Sequence, residues 1–272
     1  MAGRRSPRVL CIGGSDPLGG AGLQMDAAAC AALGGEAVGV ATLDTVQRDA
    51  GLEAVKLHPP ERVAREALRA LEEGVQAVKL GALGDALRSE AVVETLLPWL
   101  EADDTLALVI DPVAAPTLRV SPDLVLNTPE GMRVVEQRLF RYAVVTPNAL
   151  EYGDGSRYRG AMAVLRKGGH AVDWDALASG EAGIGSTEVE DIYTSVAGEE
   201  LRFRHPRIAG ATGLHGTGCA LASSLATLLA WGLDPGDASR LAIDGLGQWL
   251  AAAEGQLRPF PPRGDLFDGL LA

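Results

Sequence analysis

The part of the chain with the clearest chemical meaning is the run His215-Gly216-Thr217-Gly218-Cys219, which leads directly into the uncharged, mostly apolar segment Ala220–Trp231. The apolar segment predicts a helix, and the first N–H groups of a helix have no partner within it. Glycines let a ligand approach those N–H groups, and the helix dipole adds roughly half a positive charge there. The run therefore predicts an anion cradle that binds phosphate. The alternative is an ordinary glycine-rich turn between a strand and a helix.

Apolar strands alternate with helices along most of the chain, and this order predicts how the cradle is positioned. Strands are predicted at 9–13, 37–42, 75–80, 106–110, 143–146 and 161–166, followed by a hairpin of strands at 191–195 and 200–204. Helices are predicted at 23–33, 60–71, 89–100, 128–140, 220–231 and 235–254. This alternation predicts an α/β fold with a mostly parallel sheet and helices on both faces. No repeat or linker divides the chain, so we expect one domain over residues 1–272.

Polar residues follow most of the predicted strands. Ligands of open parallel sheets bind beyond the carboxyl ends of the strands, so these residues are candidates for a common site. They are Ser15-Asp16, Gln47, Lys79–Gly81, Asp111-Pro112, Thr146–Glu151 and Lys167–His170. The sequence contains no Walker A motif, GxSxG elbow, HExxH helix or clustered His/Cys set, so any nucleotide site is of another type.

Composition narrows the class of protein. A net charge of −12 argues against a general nucleic-acid binder, which needs a basic face. Three cysteines without a CxxC pattern predict neither a disulfide framework nor a zinc site. No apolar run has the length of a membrane span, and no cleavable signal pattern is present. We therefore expect a cytoplasmic protein whose ligands are small molecules.

Taken together, the polar blocks resemble the hydroxymethylpyrimidine/phosphomethylpyrimidine kinases of thiamine biosynthesis, a branch of the ribokinase superfamily. The blocks occur in the family's order and cover nearly the whole chain: IGGSDPLGGAGLQMD (12–26), 44–47, KLGAL (79–83), DPV (111–113), TPNALE (146–151), KGGH (167–170) and HGTGC (215–219). The resemblance implies a ribokinase-like three-layer sandwich, the use of ATP and Mg²⁺, and phosphorylation of the pyrimidine's CH₂OH group or of its monophosphate.

The resemblance also implies roles for individual residues. For the substrate they are Gly13, Asp16, Gly19, Gly20, Ala21, Gly22, Gln47, Ala82 and Val113; for catalysis Gly216, Thr217, Gly218 and Cys219; for the nucleotide Lys167, Asn148 and Thr217; and for the metal Asp111 and Glu151. The amide of Gln47 offers the donor and the acceptor that an aminopyrimidine edge needs, although a solvated loop glutamine is an equal alternative. Asn148 and Glu151 have the spacing of the superfamily's N-x-x-E motif, and the alternative for both is helix capping after Pro147.

Cys219 stands where most sugar kinases of the superfamily carry an aspartate base. At a helix N-terminus its thiol pKa is expected to fall, which would provide a thiolate to accept the substrate's hydroxyl proton. The alternative is a small buried residue that fills the start of the helix.

The chain departs from the family pattern at three places. Only fifteen residues separate Glu151 from Lys167, where the family usually has a helix. Ala82 replaces a methionine of the pyrimidine pocket, with Ala114-Ala115 also small, and Leu214 replaces a threonine. Because smaller side chains would widen the pocket, pyridoxal and pyridoxine are alternative substrates. Because the nucleotide side is shortened, a second alternative is a sensor that binds a pyrimidine but has no kinase activity. The uncovered sheet face would favour a homodimer.

Overall fold

The computed structural model describes residues 5–16, 19–48, 51–113, 125–169, 187–208 and 216–252. Its strands are β1 (Arg8–Ser15), β2 (Glu36–Arg48), β3 (Gly51–Leu57), β4 (Ala77–Leu80), β5 (Ala107–Ile110), β6 (Ala143–Val145), β7 (Ala163–Arg166), β8 (Glu188–Ser195) and β9 (Glu200–Pro206). Its α-helices are α1 (Gly22–Ala32), α2 (Pro60–Glu72), α3 (Ala86–Ala102), α4 (Pro129–Leu139), α5 (Ala149–Tyr152), α6 (Thr217–Ala230) and α7 (Pro235–Ala252). Short 3₁₀ helices occupy Phe140–Tyr142 and Ser156–Tyr158.

The described strands form one nine-stranded sheet in the order β3-β2-β1-β4-β5-β6-β7-β8-β9. The six strands from β2 to β7 in that order are parallel to their neighbours, whereas β3, β8 and β9 pair antiparallel. Parallel strands joined by helices are buried on both faces. The mostly parallel sheet predicted from the sequence is therefore confirmed.

Each face of the sheet has its own apolar core, as the alternation in β1 illustrates. Leu10 and Ile12 pack with the buried side chains of α2, α3 and α4. Val9 and Cys11 lie on the opposite face, with the buried side chains of α6 and α7. Successive side chains of a strand point to opposite faces, so a strand that is apolar throughout requires a layer on each side. The arrangement is the three-layer α/β sandwich that the sequence predicts.

β2 is longer than the sequence analysis indicates, and it forms a hairpin with a strand that the sequence analysis does not predict. β2 continues past Thr42 to Arg48, and the unpredicted strand β3 pairs with this outer half from Leu43↔Leu57 to Arg48↔Gly51. β3 is an edge strand with charged and exposed positions, and it lacks the continuous apolar run by which the buried strands were predicted.

Within the described chain, no helix combines the length and the apolar character needed to cross a membrane.

The short segment between Glu151 and Lys167 contains a stack of aromatic rings. Tyr158 lies between Phe140 and Tyr152, with ring centroids 5.7 and 5.6 Å apart and nearly parallel planes. Tyr158 is buried in the same core as α2–α4, and its hydroxyl donates to the backbone oxygen of Glu151 at 3.0 Å. Since stacked rings bury a large area per residue, this stack covers sheet surface at the place where the family's helix is shortened.

Candidate active site

The predicted cradle lies at the N-terminus of α6, and a second glycine loop packs against it. Gly216 is the N-cap with φ +83°, and the helix's first backbone bond runs from Ala220 N–H to its oxygen at 2.8 Å. A Cβ on Gly216 would lie 2.1 Å from the carbonyl oxygen of Gly20. The N–H groups of residues 217–219 thus precede the helix's own hydrogen bonds, at the point where the loop after β1 meets α6. His215 lies outside the described residues.

An ion pair between a buried aspartate and a partly buried lysine faces this helix start. Lys167 Nζ donates to Asp111 Oδ1 at 2.8 Å, and Thr146 Oγ1 donates to the same oxygen at 3.4 Å. A Cβ on Gly218 would lie 3.3 Å from Asp111 Oδ2 and 3.4 Å from Lys167 Nζ. Burial would lower the pKa of Lys167, but the carboxylates of Asp111 and Glu151 raise it above its usual value. Lys167 is therefore charged at neutral pH beside the bare backbone of Gly218.

Asn148 and Glu151 cap the short helix α5, as the alternative interpretation predicts. Asn148 Oδ1 accepts the Glu151 N–H at 2.9 Å, and Glu151 Oε2 accepts the Asn148 N–H at 2.9 Å. Lys167 N–H also donates to the oxygen of Pro147 at 2.8 Å, so the turn that carries this capping box is joined to the end of β7. The box fixes the Glu151 carboxylate near Lys167.

The prediction for the Cys219 thiol is wrong in its direction. Burial raises the pKa of Cys219 to about 11, with Asp26 and Asp111 acting in the same direction. Lys79 and a hydrogen bond from the Gly22 N–H lower the pKa without reversing the shift. The helix start alone predicts a thiolate, but here the enclosure of the sulfur outweighs the dipole, since desolvation disfavours the charged form.

The largest feature missed by the sequence analysis is a buried charge pair beneath the cradle. Lys79 Nζ donates to both oxygens of Asp26 at 2.8 and 2.9 Å, and Ser223 Oγ donates to Asp26 Oδ1 at 2.7 Å. Asp26 is 0% and Lys79 1% exposed. Burial would lower the pKa of Lys79, but the charges of Asp26 and Asp111 raise it. Both residues lie within the blocks quoted above, but nothing in their spacing indicates that they meet.

Asn127 is a second residue that sequence reasoning missed. Its Oδ1 accepts the Leu83 N–H at 2.6 Å, and its Nδ2 donates to the backbone oxygen of Val113 at 2.7 Å. The buried amide thereby ties the loop after β4 to the loop after β5. An asparagine just before a helix is commonly a helix cap, so the sequence gives no indication that Asn127 positions two loops.

Most predicted site residues line one cavity of about 260 Å³ at the carboxyl edge of the parallel strands. Those in its wall are Asp16, Ala21, Gly22, Ala82, Asp111, Val113, Asn148, Glu151, Lys167, Gly216, Thr217, Gly218 and Cys219. Gly13 instead lies behind the wall, where a Cβ would meet the backbone of Gly81 and Ala82 at 3.8 Å. Gly19 and Gly20 belong to the adjoining loop, which is closed by a bond from Gly19 N–H to Asp16 O at 2.9 Å. The Gln47 side chain, Ala114, Ala115 and Leu214 lie outside what the structure describes.

The acidic groups at the cradle are few, as is usual for a magnesium site that is completed by water and phosphate. Among the described residues, no three His, Cys, Asp or Glu side chains are grouped to hold a metal ion. Mg²⁺ usually takes one or two carboxylates and completes its shell with water and substrate phosphates. Asp111 and Glu151, both in the cavity wall and both acting on Lys167, provide such a pair.

Comparison with known proteins agrees with this geometry. The family model for phosphomethylpyrimidine kinase matches residues 16–256. The hydroxymethylpyrimidine/phosphomethylpyrimidine kinase of Mycobacterium leprae is 34% identical over 245 residues, which are 85% of this chain and 84% of that protein. A chloroplastic thiamine biosynthetic bifunctional enzyme of Arabidopsis thaliana is 34% identical over 250 residues. That match covers 84% of this chain but only 44% of the plant protein, so this chain spans less than half of the plant protein's length.

The fold of this chain is also similar to that of a solved structure. The pyridoxal kinase of Staphylococcus aureus, in complex with AMP-PCP and pyridoxal, superimposes with a TM-score of 0.73 at 23% identity. The superposition covers 90% of this chain and 88% of that one. The ribokinase-like fold expected from the sequence is thus confirmed, and the family model identifies its branch. The chain belongs to the phosphomethylpyrimidine kinase family.

Proposed function

We propose that the protein transfers the γ-phosphoryl group of ATP to the CH₂OH group of 4-amino-5-hydroxymethyl-2-methylpyrimidine, and then phosphorylates the monophosphate to the diphosphate. The observation that carries the proposal is the meeting of the α6 N-terminus with the Asp111–Lys167 pair across the bare Cα of Gly218. An anion at this point contacts helix N–H groups on one side and an ammonium group on the other. Phosphoryl transfer depends mainly on such positioning and charge stabilisation.

The phosphate side of the reaction uses groups that are already fixed in place. Lys167 would neutralise nucleotide phosphate as a point charge, and the N–H groups of residues 217–219 would receive the transferring phosphoryl oxygens. Asp111 and Glu151 would hold Mg²⁺, which neutralises charge on the phosphates when it is bound. Asn148 acts through Glu151, because the capping box fixes where that carboxylate points.

The acceptor side lies under the loop after β1. Asp16, Ala21, Gly22, Ala82 and Val113 lie in the cavity wall with Cys219, and in this proposal they surround the acceptor. In the reaction the hydroxyl oxygen forms a bond to the γ-phosphorus, the bond from phosphorus to the β,γ-bridging oxygen breaks, and the hydroxyl proton must leave. A thiol with a pKa of about 11 is mostly protonated at neutral pH. Only the minor thiolate form of Cys219, which Lys79 stabilises, could accept this proton. The proposed role of Cys219 therefore depends on that small fraction and increases with pH.

The small side chain of Ala82 favours pyridoxal as the second candidate substrate. Ala82 forms cavity wall, and a methyl group there leaves more room than the family's methionine. Pyridoxal and pyridoxine carry a CH₂OH group on a ring of similar size, so the same phosphate machinery would serve them.

The test is ATP consumption by the purified protein with Mg²⁺ and, in parallel, hydroxymethylpyrimidine, its monophosphate or pyridoxal. We expect turnover with both pyrimidines. Turnover with pyridoxal alone would replace the proposed substrate. A folded protein that binds the pyrimidine without consuming ATP would instead be the sensor considered above.

A further inference from the structure

A second polar cluster, which the proposed reaction does not use, lies in the wall of the same cavity. Asp191 in β8 accepts the Gly168 N–H at 2.7 Å through Oδ1, and its Oδ2 lies 2.9 Å from His205 Nε2. Asp191 is only 6% exposed, and both Asp191 and His205 are in the cavity wall. Gly168 directly follows Lys167, so one buried carboxylate joins His205 to the turn that carries the phosphate-side lysine.

The position of His205 in β9 is unusual for its strand. The strand alternates, with Arg202 and Arg204 exposed while Leu201 and Phe203 are partly buried against the apolar core. His205 occupies the next inward position, where the pattern predicts another apolar side chain. A polar residue in an inward series, held by a buried carboxylate, indicates a role at the cavity rather than in the core.

The surroundings of His205 favour its charged form. The hydrogen bond to Asp191 raises the pKa of His205 above its usual value, against an opposing effect of burial. Asp244 on α7 and the Pro206 carbonyl act in the same direction as Asp191. The neighbouring cation, Arg207, is directed to the backbone oxygen of Gly169 at 3.2 Å. Carboxylates on two elements thus face the imidazole and stabilise its positive charge.

We propose that His205, oriented by Asp191, is a positioning residue for the nucleotide, whose polyphosphate it holds in its imidazolium form together with Lys167. The inference rests on the proposed function, because it takes the terminal phosphate to lie at the cradle. The same cavity wall contains the apolar side chains of Val189, Ile208, Ile243, Leu246 and Leu250, and Val189 pairs with His205 across β8 and β9. A nucleotide with its phosphates at the cradle and its base against these apolar side chains would share this wall with His205. Its affinity is then highest at low pH and falls as the pH rises through the pKa of His205.

The test is the dissociation constant of Mg·AMP-PCP, measured by titration calorimetry from pH 6 to 9, which needs no turnover. We expect His205→Gln to weaken binding about fivefold at pH 6.5, since one charge near a triphosphate is partly screened by salt, and to have little effect at pH 9. His205→Arg keeps tight binding at both pH values. Asp191→Asn binds like wild type only at the acidic end, because it lowers the pKa of His205. Arg204→Gln is the matched control, since it removes one positive charge from the outward face of the same strand.

Unchanged binding in His205→Gln at pH 6.5, an equal loss at every pH, or an equal loss in Arg204→Gln would each overturn the inference. The kinase proposal is judged separately, by turnover of the wild-type protein. Turnover without the pH effect refutes the role of His205 alone, whereas the pH effect without turnover refutes the kinase proposal alone. A wild-type protein that does not bind Mg·AMP-PCP refutes both.

Discussion

Removal of the Lys79 ammonium should destabilise the protein in a way that depends on pH. Lys79→Met keeps most of the side-chain volume but leaves the Asp26 carboxylate, which is 0% exposed, without its charged partner. Breaking a buried ion pair from one side costs about 3–5 kcal/mol of folding free energy. Asp26 can avoid the unpaired charge by keeping a proton, because burial already raises its pKa. For a carboxyl whose unfolded pKa is near 4, keeping that proton at pH 7 costs about 4 kcal/mol, at 1.36 kcal/mol per pH unit.

The sign of the pH effect follows from proton binding. In the variant the folded chain holds a proton on Asp26 that the unfolded chain releases above pH ~4, so stability falls as the pH rises. Through this group the variant's own stability should fall by about 2.7 kcal/mol between pH 5 and pH 7. The double variant Lys79→Met/Asp26→Leu removes both charges, and its stability should return to within about 1 kcal/mol of wild type.

The assay is urea unfolding followed by far-UV circular dichroism at pH 5 and pH 7. Lys56→Met is the matched control, because Lys56 is exposed on the edge strand β3 and its loss should change stability by less than about 0.5 kcal/mol. A Lys79→Met variant that loses less than about 1 kcal/mol at pH 7 would refute the reasoning. A large loss that is the same at both pH values would show that packing, rather than charge, is what Lys79 supplies.

Three further predictions concern the cradle. Gly216→Ala should lower the free energy of unfolding by about 2–4 kcal/mol in the urea assay, because it combines a positive φ with a clash against the Gly20 oxygen. Gly232→Ala, with φ +88° and open space, is the control and should lose only about 1–2 kcal/mol. Cys219→Ala should reduce kcat/KM for the acceptor at saturating ATP by about 10²–10⁴-fold. The wild-type kcat/KM should rise with pH between 7 and 9 as the thiolate fraction grows, and the variant should lack this rise. An identical pH profile in both proteins would exclude the thiolate as the base. Gly218→Asp should abolish phosphoryl transfer while the circular dichroism spectrum is retained, since its carboxylate enters the anion site, and wild-type turnover in that variant would contradict the cradle assignment.

The sequence predicts elements and strand-end residues well where the signal is local. The parallel strands and their helices follow from apolar runs, and the hairpin of β8 and β9 follows from two short strand-like segments across Gly198. The outer hairpin of β2 and β3 was missed because its exposed edge lacks an apolar run. Asp26 contacts Lys79 and Ser223 although these residues lie 53 and 197 positions from it in the chain, and neither separation leaves a periodic pattern.

The pKa of Cys219 shows why a correct local motif does not determine chemistry. The motif does place the residue in the first turn of α6, where the dipole favours a thiolate. Enclosure of the sulfur and the negative charges of Asp26 and Asp111 act against that form, and the sequence carries no sign of them. Electrostatic properties of a site depend on what the fold places around a group, and most of those neighbours are distant in the chain.

The two glycines of the cradle have different tasks, although the sequence presents them alike. The site of a missing side chain on Gly216 is taken by the Gly20 oxygen at 2.1 Å, so this glycine allows the loop after β1 to contact α6. Gly218 instead faces Asp111 and Lys167, whose Oδ2 and Nζ would lie only 3.3 and 3.4 Å from a Cβ, so its missing side chain allows the helix start to approach the ion pair. A side chain at the first position would separate the loop from the helix, and a side chain at the second would fill the anion site. The Gly-x-Gly spacing therefore serves both halves of the proposed reaction, because one glycine brings the acceptor loop to the cradle and the other leaves the cradle open.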